Sequence, residues 1–250
     1  MTSDRALKRA GALLLCLALW QAAASRHSLL VASPMASAKK LCELAAASDF
    51  HRSILSSLSH IAGGFLLSLL CASGAAALGC RFEAVEILLE PLVAFMKSVP
   101  VAVVTILLLI LLSSSGLTLA VVFLVVFPIL YTALLTGVRA ADPGLLEMAR
   151  VFGWSAGRRW RYIRLSAAEA HLRSAFRVAS GMAWKSGIAA EVIGTPEGSI
   201  GSALYSAKIY LATDELFAWA AVILLLGWLT ERACLAGLRF LYRLLRSVRV

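Results

Sequence analysis

A short glycine-flanked segment, Gly153 to Gly157, has the residue types most typical of enzyme chemistry. It reads Gly-Trp-Ser-Ala-Gly, the G-x-S-x-G pattern in which hydrolases place a nucleophilic serine at a sharp turn from strand to helix. Glu169 and His171 follow Ser155 in an order that fits an acid and a base. The residues before Ser155 read as helix, however, and nothing nearby predicts a sheet. A membrane serine hydrolase that uses Ser155 is therefore only a remote alternative, and we expect no catalytic residue and no enzyme.

Other residues that carry chemistry show no site pattern. The cysteines lack CxxC or metal-ligand spacing, and most stand in apolar runs where cysteine behaves as a small hydrophobe, so we expect neither a disulfide nor a metal site. They are Cys16, Cys42, Cys71, Cys80 and Cys234. The phosphate-binding pattern G-x-x-x-x-G-K-[ST] does not occur in the sequence. We therefore expect no cofactor in this chain, and any ATP that drives its work must be bound by a partner subunit.

The composition indicates a membrane protein. Of 250 residues, 60% are hydrophobic and 15% are charged, whereas soluble domains are about 45–50% apolar and about 25% charged. The stretch Val99–Val138 contains no acidic or basic residue. Because a bilayer core of about 30 Å needs roughly 20 helical residues, this stretch predicts two spans, with a break near Ser113–Gly116.

The predicted fold class is an all-α polytopic membrane protein. We expect about six transmembrane helices, or five if the first segment is a signal peptide that is cleaved. They are Ala10–Ala24, Leu58–Leu78, Leu92–Leu112, Leu117–Val138, Val178–Ile193 and Leu216–Gly237. Residues 1–57 then comprise an N-terminal span and an amphipathic external segment, residues 58–240 form the transmembrane domain, and residues 241–250 form a basic tail.

Basic residues predict the orientation in the membrane. The segment Arg139–Arg177 contains eight arginines against three acidic residues. Loops rich in Lys and Arg stay on the cytoplasmic side, so this segment and the C-terminal tail are predicted to be cytoplasmic, as is the N-terminus once four spans are counted back. The net charge of +10 then reflects this bias and lipid contact, not nucleic acid. The tail and N-terminal residues concerned are Arg239, Arg243, Arg246, Arg249, Arg5, Lys8 and Arg9.

The cytoplasmic loop between the fourth and fifth spans predicts two short helices joined by a turn. Asp142 is placed as an N-cap, and Pro143 follows at the first helical position. Gly153 stands where helices place a C-terminal glycine. Ser155 is placed to cap a second helix.

This loop resembles the EAA loop of the membrane subunits of binding-protein-dependent ABC importers. That pattern is E-A-A, three residues, G, nine residues, then I-x-L-P. Glu147–Ala149 stand at the E-A-A positions, Gly153 follows at the required spacing, and Ile163 and Leu165 stand at I-x-L. The position between the fourth and fifth spans also agrees with the family.

The sequence departs from the family pattern at two positions, and two further stretches resemble one branch of the family. Met148 replaces an alanine and Ser166 replaces the proline, so we expect a weaker helix break after Leu165. Ala190–Gly194 and Lys97–Ala102 look like parts of the nitrate, sulfonate and taurine branch, the second of them near that branch's gate. The resemblance extends over most of the chain.

The resemblance implies a permease subunit of an ATP-driven importer in a bacterial inner membrane. Its expected partners are an ABC ATP-binding subunit, an extracytoplasmic solute-binding protein and a second copy of the chain. The implied substrate is a small anion such as nitrate, a sulfonate or a taurine-like compound. The residues implied in coupling to the ATPase are Glu147, Ala149, Gly153, Arg158, Arg159, Ile163 and Leu165.

Charged residues within predicted spans are candidates for the translocation path. Ionisable groups in spans commonly mark such paths, and Lys97 or Lys185 is suited to attract an anion. Glu191 stands six residues after Lys185, which is poor spacing for direct contact. With Pro100, these three residues form the predicted path and gate. The same charges leave an ATP-independent channel or carrier as the alternative.

Overall fold

The computed structural model describes residues 2–27 and 30–247, and the regular structure of this part of the chain is entirely helical. Arg249, in the predicted basic tail, lies outside the described residues. The helices are α1 (Thr2–Arg26), α2 (Pro34–Ala45), α3 (Ser48–Arg81), α4 (Glu83–Ser98), α5 (Val101–Leu111), α6 (Ser114–Arg139), α7 (Pro143–Val151), α8 (Ala156–Arg159), a π-helical segment (Trp160–Arg164), α9 (Leu165–Gly194), α10 (Ile200–Ile209) and α11 (Thr213–Ser247).

Within the described residues, three helices are long and apolar enough to cross a membrane, or four if one bent pair counts as a single span. They are Ser48–Arg81, Ser114–Arg139 and Thr213–Leu244, with the pair α4 and α5. The first and fifth predicted spans lie within α1 and α9, which are long but less apolar. The helix α9 packs most extensively on α6 and also contacts α11, α10 and α3. Its small residues, together with Lys185 and Glu191, make it less apolar than the helices that face lipid.

The third predicted span is not one straight helix. The sequence predicts a span over Leu92–Leu112 that contains Pro100, and in the structure α4 and α5 meet there at an angle of 104°. Pro100 lacks a backbone N–H, and its ring pushes the residue before it out of the helical region. Val99 accordingly has an extended backbone with ψ 130°, and Pro100 becomes the N-cap of α5.

The other helices agree with the predicted spans, although some of them are longer than predicted. The break near Ser113–Gly116 is confirmed, because Ser113 Oγ accepts a hydrogen bond from Gly116 N at 3.4 Å and begins α6. The second span is longer than predicted, since α3 already begins at Ser48. The boundaries at 57/58 and 240/241 stay predictions, and they fall inside α3 and α11.

The centre of the bundle is α6, which packs against α3 on one side and α9 on the other. Val122, Val126 and Leu130 of α6 are fully buried there. The three helices approach closely at glycines: a Cβ on Gly187 would lie 2.6 Å from Ile61 Cγ1 and 3.1 Å from Val122 Cγ2. Small residues at such crossings let membrane helices pack backbone to backbone.

We expect Gly187→Val to destabilise the bundle by about 1–3 kcal/mol, the usual cost of overpacking. The measurement is the thermal midpoint of the detergent-solubilised full chain, followed by size-exclusion chromatography. Gly181→Val is the matched control, because Gly181 lies on the same helix and a Cβ there would meet nothing within 4 Å. Equal midpoints for the two variants would contradict the close crossing.

Candidate functional site

The helix α7 is capped at both ends, as its sequence predicts. Asp142 Oδ1 accepts a hydrogen bond from Gly144 N at 2.8 Å, with Pro143 at the first helical position. At the other end Gly153 has φ +70°. Its N–H donates to Arg150 O at 3.0 Å, and Trp154 N donates to Ala149 O at 2.8 Å. This pair of bonds is a Schellman motif, which requires a left-handed residue at Gly153.

Opposite faces of α7 have opposite environments. Ala149 has no exposed surface, so this side of the helix is covered by the protein. Val151 is 81% exposed, Phe152 73% and Met148 46%. Glu147, beside them, is exposed as well. A short helix that presents a contiguous apolar surface to water, next to a carboxylate, is typical of a protein interaction site.

The loop continues into the bundle without a helix break. Ser155 Oγ accepts from Arg158 N at 3.3 Å and caps α8, which runs through the π-helical segment Trp160–Arg164 into α9. Since Ser166 replaces the proline of the family pattern, nothing interrupts the helix after Leu165. Tyr242 donates its hydroxyl to Leu165 O at 2.9 Å and ties this junction to α11.

Ser155 therefore has a structural role as a cap. In the described part of the chain no strand precedes it, so the strand–turn–helix of a nucleophile elbow is not formed there. Glu169, the acid of that hypothesis, pairs instead with Arg173 Nη2 at 2.8 Å.

The remaining predicted coupling residues lie around the turn. Arg158 stacks on the Trp154 ring at 5.8 Å, and Arg159 Nη1 donates to Trp154 O at 3.0 Å. Ile163 and Leu165 are half-buried, and Leu165 packs against the main hydrophobic core. These contacts hold the turn between α7 and α8 in one arrangement.

The predicted path residues are not brought together as a set. Lys97 and Pro100 lie beside the bend between α4 and α5, where Lys97 Nζ donates to Thr132 Oγ1 of α6 at 2.9 Å. Lys185 is exposed, whereas Glu191 on the same helix is fully buried. Among the described residues Lys185 and Glu191 form no ion pair with each other.

Glu191 joins three helices through partners that sequence reasoning missed. Ser57 Oγ of α3 donates to Glu191 Oε2 at 2.6 Å, and Gly201 N donates to the same oxygen at 3.2 Å. Ile200 N in turn donates to Ser57 Oγ at 2.8 Å. A buried carboxylate is costly unless it is hydrogen-bonded, and here the positive N-terminus of α10 also faces it.

Two further features complete this junction. His60 Nδ1 of α3 lies 3.7 Å from Glu191 Oε1. A Cβ on Gly201 would lie 2.2 Å from Glu191 Cβ, so only glycine permits this approach of α10 to α9. The Gly-rich stretch after Gly194 is a usable sequence signal for such a contact. Ser57 is not, because the predicted boundary at residue 57 places it in the external segment.

Comparisons with known proteins decide the class of this helical bundle. The family described as "Binding-protein-dependent transport system inner membrane component" matches residues 61–234, which include α7, the turn at Gly153 and Glu191. The chain belongs to this family. It is a membrane-embedded permease subunit of an ABC importer, and the family is a transporter family rather than an enzyme family.

Individual relatives agree with this assignment. The taurine transport system permease protein of Escherichia coli K12 is 30% identical over 122 residues, which are 49% of this chain and 42% of that protein. A Brucella melitensis protein named a probable ABC transporter permease is 27% identical over 180 residues, 72% of this chain and 73% of that protein. A Bacillus subtilis permease named for aliphatic sulfonates is 29% identical over 105 residues, 42% of this chain and 37% of that protein.

The fold also matches a solved transporter. A crystal structure described as an amino acid ABC transporter with histidines superposes with a TM-score of 0.59 at 16% sequence identity. The match covers 83% of this chain and 96% of that chain. At this identity the likeness concerns the fold alone.

Proposed function

We propose that this permease couples a separate ATP-binding subunit to solute passage through the loop 142–166. The observation that carries the proposal is the geometry of α7, which is capped at both ends, buried at Ala149 and exposed at Val151 and Phe152. An ATPase subunit seated on that exposed surface would move α7, which the turn at Gly153 joins to α8, and α8 continues through the π-helical segment into α9. Because hydrogen bonds fix the turn, a movement of α7 would be transmitted to the helices that follow it.

Within this proposal the predicted coupling residues divide into two groups. Glu147 faces outward and is available to pair with a basic group of the ATPase. Gly153 and Arg159 hold the turn, the first by its left-handed backbone and the second by its bond to Trp154 O. Arg158, stacked on Trp154, stands at the edge of the same surface.

For the substrate we propose a small anion, with a sulfonate-type compound as the first choice. The support is the names of the taurine and aliphatic sulfonate relatives, together with Lys97, whose exposed ammonium group lies beside the bend at Pro100. Lys185 adds a second exposed cation on α9. An extracytoplasmic binding protein would deliver the solute, and two copies of the permease would enclose the path, with both termini cytoplasmic.

Val151→Asp tests the ATPase interface. We expect the tagged full chain, purified from its host in mild detergent, to carry an ATP-binding subunit, and the aspartate variant to lose at least about 90% of it, since burying one unpaired charge costs several kcal/mol. The amount of ATPase per permease is read by quantitative mass spectrometry.

Tyr210→Asp is the control for that experiment. Tyr210 is 81% exposed, the same fraction as Val151, but it ends α10 far along the chain from α7. It should retain the ATPase at the unmodified level. If the unmodified permease yields a stable oligomer without any ATP-binding subunit, the coupling proposal fails and an ATP-independent carrier takes its place.

A further inference from the structure

A cleft of about 480 Å³ separates the end of α3 from the loop that follows α6. Four arginines from four different segments line it, and none of its lining residues is acidic. We call it the arginine cleft. The arginines are Arg81 of α3, Arg150 of α7, Arg159 of α8 and Arg164 of the π-helical segment.

Three of the four arginines are held in place by contacts with neighbouring groups. Arg81 stacks over the Phe82 ring at 5.4 Å, and Arg164 stacks over the Trp160 ring at 5.8 Å. Arg159 is fixed by its bond to Trp154 O. Among the described residues, no acidic side chain forms an ion pair with any member of the cleft.

In a neighbouring cavity, by contrast, acidic side chains neutralise an arginine. There Arg139 at the end of α6 donates two hydrogen bonds to the carboxylate of Glu86, and Glu83 and Glu90 line the same space. One basic group at this end of the bundle is thus balanced by acids of the chain itself. Arg81 lines this acidic cavity as well as the arginine cleft. The lining of the arginine cleft itself contains no carboxylate, so the like charges that meet there favour an anion.

Guanidinium groups match the geometry of planar carboxylates and of phosphates. Their planar N–H forks bind phosphate oxygens through paired hydrogen bonds, better than a point charge does. The other walls of the cleft are apolar, with Ala77, Leu78 and Trp160 among them. Leu78 is 51% exposed beside the cleft. A ligand that carries a phosphate next to a hydrocarbon part fits both kinds of wall.

The depth of the arginine cleft in the membrane indicates that a lipid headgroup supplies this phosphate. The cleft lies at the end of the candidate span Ser48–Arg81, and span ends lie at the depth of lipid headgroups. Basic pockets at this depth bind anionic headgroups. We propose that the arginine cleft binds the headgroup phosphate of an anionic phospholipid, which links α3 to the loop bearing α7.

The proposal does not depend on the ATPase interface. Arg81 and Arg164 are not among the residues assigned to coupling, and lipid binding is measured on the permease alone. It does add a consequence: the bound lipid would connect a membrane span with the loop, so the position of α7 would depend on the lipid composition of the leaflet.

The test uses the full-length chain in detergent, with fluorescent phosphatidylglycerol as the probe and phosphatidylcholine as the neutral comparison. The variant is Arg81→Gln with Arg164→Gln. Because each arginine near an anionic headgroup contributes about a fivefold gain in affinity, we expect the double variant to bind phosphatidylglycerol about 25-fold more weakly. Phosphatidylcholine binding should not change.

Two control variants distinguish the effect of losing the cleft arginines from the effects of lower net charge and of misfolding. Arg177→Gln with Arg239→Gln removes the same charge from a cavity that also contains Glu231, and it should keep phosphatidylglycerol binding within about twofold of the unmodified chain. Arg81→Lys with Arg164→Lys keeps the charge and should recover most of the affinity, since lysine also binds phosphate. Each protein is first shown to be monodisperse.

Three outcomes overturn the proposal. Equal losses in the two glutamine double variants would indicate general charge attraction. Unchanged binding in the cleft variant would show that the arginines serve another partner, such as an acidic surface of a protein. Displacement of the lipid by inorganic phosphate at an equal concentration would show that a soluble phosphate, and not a phospholipid, is the ligand.

Discussion

Gly153→Val is expected to reduce solute uptake by at least about tenfold while the helical bundle stays folded. Gly153 has φ +70°, and a Cβ there would meet nothing within 4 Å. The penalty is therefore conformational and local, about 1–3 kcal/mol for a β-branched residue held in the left-handed region. We expect the variant to relieve this strain by losing the Schellman motif, so that α7 no longer faces the ATPase subunit.

The measurement is uptake by vesicles that contain the reconstituted importer, together with ATP hydrolysis by the same samples. Hydrolysis that continues without uptake is the expected signature of the variant. Gly157→Val is the matched control: it lies four residues further along the same loop, a Cβ there also meets nothing within 4 Å, and its φ is not left-handed. Full uptake by the Gly153 variant would remove the loop from the coupling mechanism.

Glu191→Ala is expected to have the second large effect, through the junction of α3, α9 and α10. It removes the acceptor for Ser57 Oγ and Gly201 N, both buried. Leaving two buried donors unsatisfied costs about 2–4 kcal/mol. We expect a marked drop in the thermal midpoint of the purified permease and the loss of uptake, because α3 and α10 are no longer hydrogen-bonded to α9.

Glu191→Gln distinguishes position from charge. A glutamine oxygen still accepts from both donors, so the thermal midpoint should stay close to that of the unmodified permease. If uptake also survives, Glu191 acts by holding α10, whereas lost uptake at an unchanged midpoint would assign its charge to the translocation path. Glu197→Ala, at an exposed position in the adjoining loop, should change neither quantity; an effect there equal to that of Glu191→Ala would refute the junction.

Features that depend on neighbours in sequence were predictable for this permease. Asp142, Pro143 and Gly153 marked the two ends of α7, because caps form between residues two to five positions apart. Long apolar stretches predicted the long helices of the bundle, and Ser113 predicted the break before α6. The EAA spacing then pointed to the family that the comparison over residues 61–234 confirmed.

The bend at Pro100 was predictable only in part. A proline in an apolar run indicates that a helix will end or kink. The angle of 104° between α4 and α5 follows from how both helices pack on α6, as in the contact of Lys97 with Thr132. The sequence showed the residue that breaks the helix, and the packing set its direction.

The arrangement of the sites depended on contacts between distant parts of the chain. Ser57 meets Glu191 across 134 positions, and Arg81 reaches the arginine cleft beside Arg164. No periodicity or spacing encodes such pairs, because they follow from the crossings of α3, α9 and the loop after α6. Local hydrogen bonds and apolar length thus specified the helices and the loop of this permease, while long-range packing placed its buried acid and the arginines of its cleft.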